Sequence, residues 1–441
     1  MLRVSGADLV WTGTAVRTGA EIVCDDAGLV VPGGAPGASV EVLDATGCVV
    51  TPGLVNAHHH LLQTAFRTLP GTRGVAMRDW LPRMAAAYAA VGIDDELAYV
   101  AASVGLAEAL LCGVTTVADH QLNWPPAGDG VSIARAVARA ANELGARLVF
   151  VRGSAREDPQ SAAASAEAIA LAFAGDPRVQ IGVGPAGVHS DGPETFALLG
   201  EVAAAHGLRR RTQANEQVDV EVAAARYGRR PLELLDEWGW LAPDVTLAHL
   251  CEITPAEVAL LSASGVSATH VPGCDLPMGW GIAPAAALAD AGVPVGLGTS
   301  GGGSNDAGHL LADARLALQV APLAGRPVMA VEVLGWATAG SATGLGRADL
   351  GRLDPGCAGD LVCWDVSGVS DAGVADPLAG LLWAGPGRRP RHVVVGGQVV
   401  VRDGRLLPRV ESQIAARLHA LLRERGVPAA TGPNSARDFH R

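Results

Sequence analysis

At 441 residues, with 49% hydrophobic and 18% charged content, the chain can bury a large core and hold one big domain beside a smaller one, which excludes a disordered or fibrous protein. A formal net charge of -12 with no basic run excludes a phosphate-gripping surface, so nucleic acid is not an expected partner. Seven scattered cysteines without a C-x-x-C pair suit reduced thiols in a cytoplasm, and neither the N-terminus nor the Ala-rich stretch 99–118, broken by Glu108, reads as a signal peptide or membrane span.

Residues 1–50 are short alternating strands with glycine turns, such as 20–24. From Thr51 to about Gly346, short apolar strands alternate with Ala-rich helices, the pattern of repeated βα units around a parallel sheet. The predicted strands are 53–57, 114–119, 146–151, 179–183, 208–213, 245–249, 266–270 and 293–298. Helices are predicted at 96–111, 131–144, 162–174, 193–205 and 255–262, several opening on an acidic or proline-bearing first turn. Eight such strands predict a (β/α)8 TIM barrel over 51–349, with reactive residues at the C-terminal strand ends. Residues 350–410 return to alternating strands, so 1–50 and 350–410 are expected to form one small β-sandwich domain from both ends of the chain. A C-terminal helix over 410–425 and a poorly ordered Pro, Gly and Asn-containing end complete the 411–441 tail.

His58 and His60, two apart at a strand end, project to the same side and can both reach one cation; ordinary hydrogen bonding is the alternative use of such a pair. His59 between them faces the opposite way. No lysine occurs in the chain, so no carboxylated lysine can bridge two metals.

Three segments carry a resemblance. Pro52-Gly-Leu-Val-Asn-Ala-His-His-His-Leu-Leu-Gln63, Cys112-Gly-Val-Thr-Thr-Val-Ala-Asp-His120 and Gly351-Arg-Leu-Asp-Pro-Gly-Cys-Ala-Gly-Asp-Leu-Val362 resemble the amidohydrolase superfamily, and within it the 8-oxoguanine deaminase and s-triazine hydrolase branch. The resemblance extends to Gly396-Gly-Gln-Val-Val-Val-Arg-Asp-Gly-Arg405 and so covers nearly the whole chain. It implies one zinc or iron ion held by the H-x-H pair, histidines from strands 5 and 6 and an aspartate from strand 8. Homodimers are common in the family.

The sequence departs from that pattern at two ligand positions. Strand 5, normally His-x-x-Glu, reads Gln213-Ala-Asn-Glu216, and strand 8, normally Gly-x-Asp-Gly, reads Gly298-Thr-Ser300-Gly. A neutral amide and a neutral hydroxyl are poor partners for a dication. A metal ordinarily lowers the pKa of bound water from about 15.7 to about 7, worth about 12 kcal/mol in forming hydroxide. The expectation is therefore a degraded site at His58 and His60, holding no metal or a weakly bound zinc or iron.

By the same resemblance Glu216 is the proton shuttle and His249 the histidine facing the reacting centre; a salt bridge and a buried structural imidazole are their alternative roles. Gln63, Trp80 and His120 match substrate-facing positions, where an amide, a ring face and an imidazole suit a flat nitrogen heterocycle. His189 and His270 are possible substitute bases or ligands, Gln213 and Ser300 fall to the substrate side, and Asp306 is expected to cap a helix. Three functions compete: a heterocycle enzyme using metal-independent acid/base chemistry, a metal-dependent hydrolytic deaminase with unusual ligands, and a non-catalytic heterocycle binder. The retained Glu216 and His249 favour an enzyme over a binder, and the loss of two ligands favours the first reading over the second for chemistry that avoids attack by unactivated water.

Overall fold

The structure is a computed structural model that describes residues 1–33, 40–125, 130–385 and 387–427. Its centre is a parallel sheet of β1 (Leu54–His60), β2 (Val114–Gln121), β3 (Arg147–Ser154), β4 (Val179–Pro185), β5 (Arg209–Ala214), β6 (Val245–His249), β7 (Ser267–His270) and β8 (Val295–Leu297), each paired to its sequence neighbour. Runs such as Val245–His249 are buried on both faces, as a parallel strand between a core and an outer helix layer must be.

The predicted strand 293–298 is shorter than expected and broken. After Leu297 the chain leaves the ladder and resumes it at Ser300–Gly301, which pairs with His59 and His60 of β1 and so closes the barrel. Between the pieces, Gly298 and Thr299 donate to the carbonyls of His270 and His58 at 3.0 Å each. A Cβ at Gly298 would lie 2.7 Å from the His58 Cβ, so only glycine lets the two strands come this close.

The five predicted helices are present as Asp95–Leu111, Val131–Leu144, Pro159–Ala172, Pro193–His206 and Pro255–Ser264. The third starts earlier than expected because Asp158 accepts from the Ser161 amide and Pro159 fills the first helical position. A helix that sequence patterning misses, Met77–Val91, supplies Trp80, Met84 and Tyr88 to the mouth of the barrel.

Both chain ends meet in a seven-stranded sheet, where Leu361–Asp365 lies between Cys48–Pro52 and His392–Val395. A four-stranded sheet from the first 44 residues faces it across an apolar layer that includes Leu2, Val4, Val10, Leu43, Val50, Leu361 and Val394. The terminal helix runs Glu411–Glu424, its Leu418 and Leu421 buried in one cluster with Met84, Leu97 and Val100. The end expected to be poorly ordered lies beyond residue 427, outside the described residues. Among the described residues no helix is long and apolar enough to cross a membrane.

Candidate active site

The C-terminal strand ends open into a cavity of about 300 Å³. Its wall takes His60 from β1, Gln213 from β5, His249 from β6 and Ser300 from the resumed β8, together with Gln63, Trp80, His189 and Glu216. Trp280, Met77, Met84 and Tyr88 give it an apolar side, and Trp80 meets Trp280 edge to face with ring centroids 5.4 Å apart. Gln63 accepts from the Gly303 amide at 3.1 Å while Trp80 donates to the Gly303 carbonyl at 3.2 Å, so the two clamp the glycine loop after β8.

Four non-glycine residues with positive φ sit at these strand ends: Asn215 (53°), His249 (73°), Leu250 (63°) and Ser300 (58°). Side chains rarely tolerate that region, and strain of this kind gathers where the surrounding structure imposes it, often at sites of function.

His249 is held from both sides. Its Nδ1 donates to Asp275 Oδ1 at 2.8 Å and its Nε2 faces Gln213 Oε1 at 3.1 Å. The Gln213 amide cannot be turned the other way without loss, because its Nε2 donates to the Ala186 carbonyl at 3.1 Å. With an acceptor opposite each ring nitrogen, the imidazole carries both protons. Burial opposes that charge, but Glu216, whose carboxylate is 3.7 Å away, and Asp275 outweigh it and raise the pKa to about 9. Burial in turn pushes the Glu216 carboxyl above its ordinary range.

The other imidazoles differ. His189 pairs with Asp219 at 3.1 Å, and that hydrogen bond and charge outweigh burial and raise its pKa. His60 Nδ1 donates to the His120 carbonyl at 2.7 Å, leaving Nε2 free. His58 is fully buried with neither ring nitrogen partnered, its ring 4.7 Å from His60 and 5.2 Å from His249; burial first, then neighbouring His60 and Arg211, keep it neutral. His59 turns away as expected, its Nδ1 on the Ser300 carbonyl and its ring toward Gly105 of the outer helix.

His120 lies off the cavity wall, its Nε2 donating to the Gly184 carbonyl at 3.0 Å and its ring 5.9 Å from that of His60. One expectation is corrected by this geometry. Asp306 caps no helix, since the next helix begins at Leu310 behind His309; its carboxylate instead accepts from the Thr68 amide at 2.6 Å and from Arg73. His270 also lies off the wall, held neutral by burial with a pKa of about 4.

Sequence reading misses Asp275 and Arg211. An acid in the first turn of a helix directly after a strand end, as in Pro272-Gly-Cys-Asp275, is the signal for the first. The period of two along β5 is the signal for the second, because it sets Arg211 on the same inward face as Gln213.

The family model described as "Amidohydrolase family" matches residues 49–400. The chain is 38% identical to an 8-oxoguanine deaminase of Pseudomonas aeruginosa, across 82% of this chain and 84% of that protein. It is 32% identical to a 5-methylthioadenosine/S-adenosylhomocysteine deaminase of Halobacterium salinarum, across 94% and 95%. Among solved structures it is similar to an atrazine chlorohydrolase from Arthrobacter aurescens TC1 complexed with zinc, with a TM-score of 0.88, 33% identity and coverage of 96% of this chain and 100% of that one.

Proposed function

Because the chain belongs to the amidohydrolase family, we propose that it is an enzyme acting on C–N bonds of a small nitrogen-rich heterocycle, through proton transfer by Glu216 and His249 with little or no need for tightly bound zinc or iron. The observation that carries the reading is the setting of His249 between Asp275 and Gln213. The side chain at the expected strand-5 ligand position serves as hydrogen-bond acceptor for an imidazolium, which offers no lone pair to a cation.

The donors present do not fit the zinc of the similar chlorohydrolase. His58 and His60 belong to no group of three or more His, Cys, Asp or Glu donors within 4.8 Å of one another; among the described residues that spacing is met by His249, Cys274 and Asp275. Gln213 and Ser300 bring no charge, and Gln213 has spent its oxygen on His249.

What this chain's residues can do follows from their places. Trp80 and Trp280 line the cavity with aromatic surface suited to a flat heterocycle, and Gln63 and His189 add polar contacts. The relatives named as deaminases act on ring systems of this kind, which supports the substrate class. The raised pKa of Glu216 suits a group that takes and returns a proton, and protonated His249 beside it can stabilise an anionic ring or pass a proton to it. The barrel over 51–349 is the proposed catalytic unit, with the composite sheets as its platform and 411–441 as terminal helix and tail. Its thiols are all free, in keeping with a reducing cytoplasm, and a homodimer is the assembly the family resemblance supports.

One observation favours a second reading, a metal-dependent hydrolytic deaminase: His58 has two buried ring nitrogens without a partner. Turnover of a panel of aminopurines, pterins and amino-s-triazines separates the readings. Glu216→Gln should lower turnover at least about 100-fold while ligand affinity stays within about tenfold. The parent should work in the presence of a chelator. Unchanged turnover in the variant contradicts the assignment, loss of parent activity to chelator favours the second reading, and binding without turnover in the parent favours a non-catalytic binder.

A further inference from the structure

Along β5 the side chains of Arg209, Arg211 and Gln213 share one face at three depths of the barrel. Arg209 at the bottom donates from both Nη groups to the carbonyls of Pro243 and Gly344, at 2.8 and 2.9 Å. Gln213 at the top borders the cavity. Arg211 lies between them, 3% exposed, with a single bond from Nη2 to Thr269 Oγ1 at 3.3 Å. Its Nε and Nη1 are buried without a partner, and no carboxylate among the described residues pairs with it.

An unpaired guanidinium in a buried interior is costly, because no counter-charge among the described residues offsets it. It sits two residues below Gln213 on the inward face of β5 and bonds to Thr269, the neighbour of His270 on β7, so its charge lies beneath the strand ends that form the site. A dication at the His58–His60 pair would meet a like charge across the same buried interior, with no anionic ligand from Gln213 or Ser300 to offset it.

We infer that Arg211 is a built-in cation that takes the electrostatic place of a divalent ion under the cavity and excludes one from His58 and His60. The inference rests on the metal-poor reading above and deepens it: restoring the two expected ligands leaves a third obstacle in place. Arg211 is thus a positioning residue for the charge of the site and touches no substrate.

Zinc titration by calorimetry, with the ion itself as probe, tests this on full-length metal-free protein. The reference is the double variant Gln213→His with Ser300→Asp. Adding Arg211→Met removes the charge at similar length and should tighten zinc binding at least about tenfold over the double variant. Adding Arg211→Lys keeps the charge and should leave affinity at the level of the double variant. Adding Thr269→Asp leaves the guanidinium in place but pairs it with a carboxylate; it should also tighten binding, and it carries the test if the methionine form fails to fold. If neither neutralising change tightens zinc binding, or if lysine works as well as methionine, Arg211 excludes nothing. Failure of the metal-poor reading is seen separately, as a full equivalent of zinc retained by the parent chain.

Discussion

The protonation of His249 is set by two neighbours, and it gives the fold a pH signature. A histidine whose folded pKa is raised from 6.5 to about 9 contributes stability that is fully present below pH 6.5 and is lost as pH rises through about 9. His58, His59, His60, His120 and His270 have the opposite sign: burial holds them neutral, so the unfolded chain binds more protons than the folded one as pH falls below 6.5. Thermal unfolding should therefore show its highest midpoint at about pH 7, where the two states bind equal numbers of protons at these six histidines, with losses toward both pH 5 and pH 9. Asp275→Asn should flatten the alkaline loss and leave the acid one. An alkaline limb that is the same in parent and variant would contradict the dyad.

Among the elements, β4 and β5 carry the tightest fit at the site. A Cβ at Gly184 would lie 1.4 Å from the Arg211 carbonyl oxygen, a backbone atom that cannot rotate away. Gly184→Ala should destabilise the fold by at least about 3 kcal/mol, read from denaturant midpoints; an unchanged midpoint would mean that the two strands are spaced differently. The ends of β5 and β8 carry the paired departure at Gln213 and Ser300. Restoring His and Asp together should raise zinc uptake by more than the sum of the single changes, a coupling that a double-mutant cycle measures. Additive or absent gains would show that positions 213 and 300 do not face one point. Strands such as β2 and β6 are readable from sequence because each is a short apolar run with a clear stop. The break in β8 is not, because it depends on Gly298 crowding against His58 far away in the chain. In the same way His58, His60, Gln213, Glu216, His249 and Ser300 are legible as strand ends and motif positions. Asp275 and Arg211 become meaningful only through the partners they meet or lack.

At the scale of the whole molecule, the barrel order and the joining of both chain ends in one sheet follow from the βα alternation and the flanking β-patterned segments. The helix Met77–Val91 that roofs the cavity escapes that reading, because its apolar face is buried against residues from other parts of the chain, among them Phe66, Trp280, Leu418 and Leu421. A barrel of this family whose upper interior holds an imidazolium and, beneath it, a guanidinium differs electrically from one built around a dication. Elemental analysis of the chain, purified without chelators and dialysed, tests that account most directly. It predicts clearly less than one equivalent of zinc plus iron per chain, with His249 still bound to Asp275 and Gln213. A full equivalent surviving dialysis would contradict it and place His58 and His60 in a working metal shell.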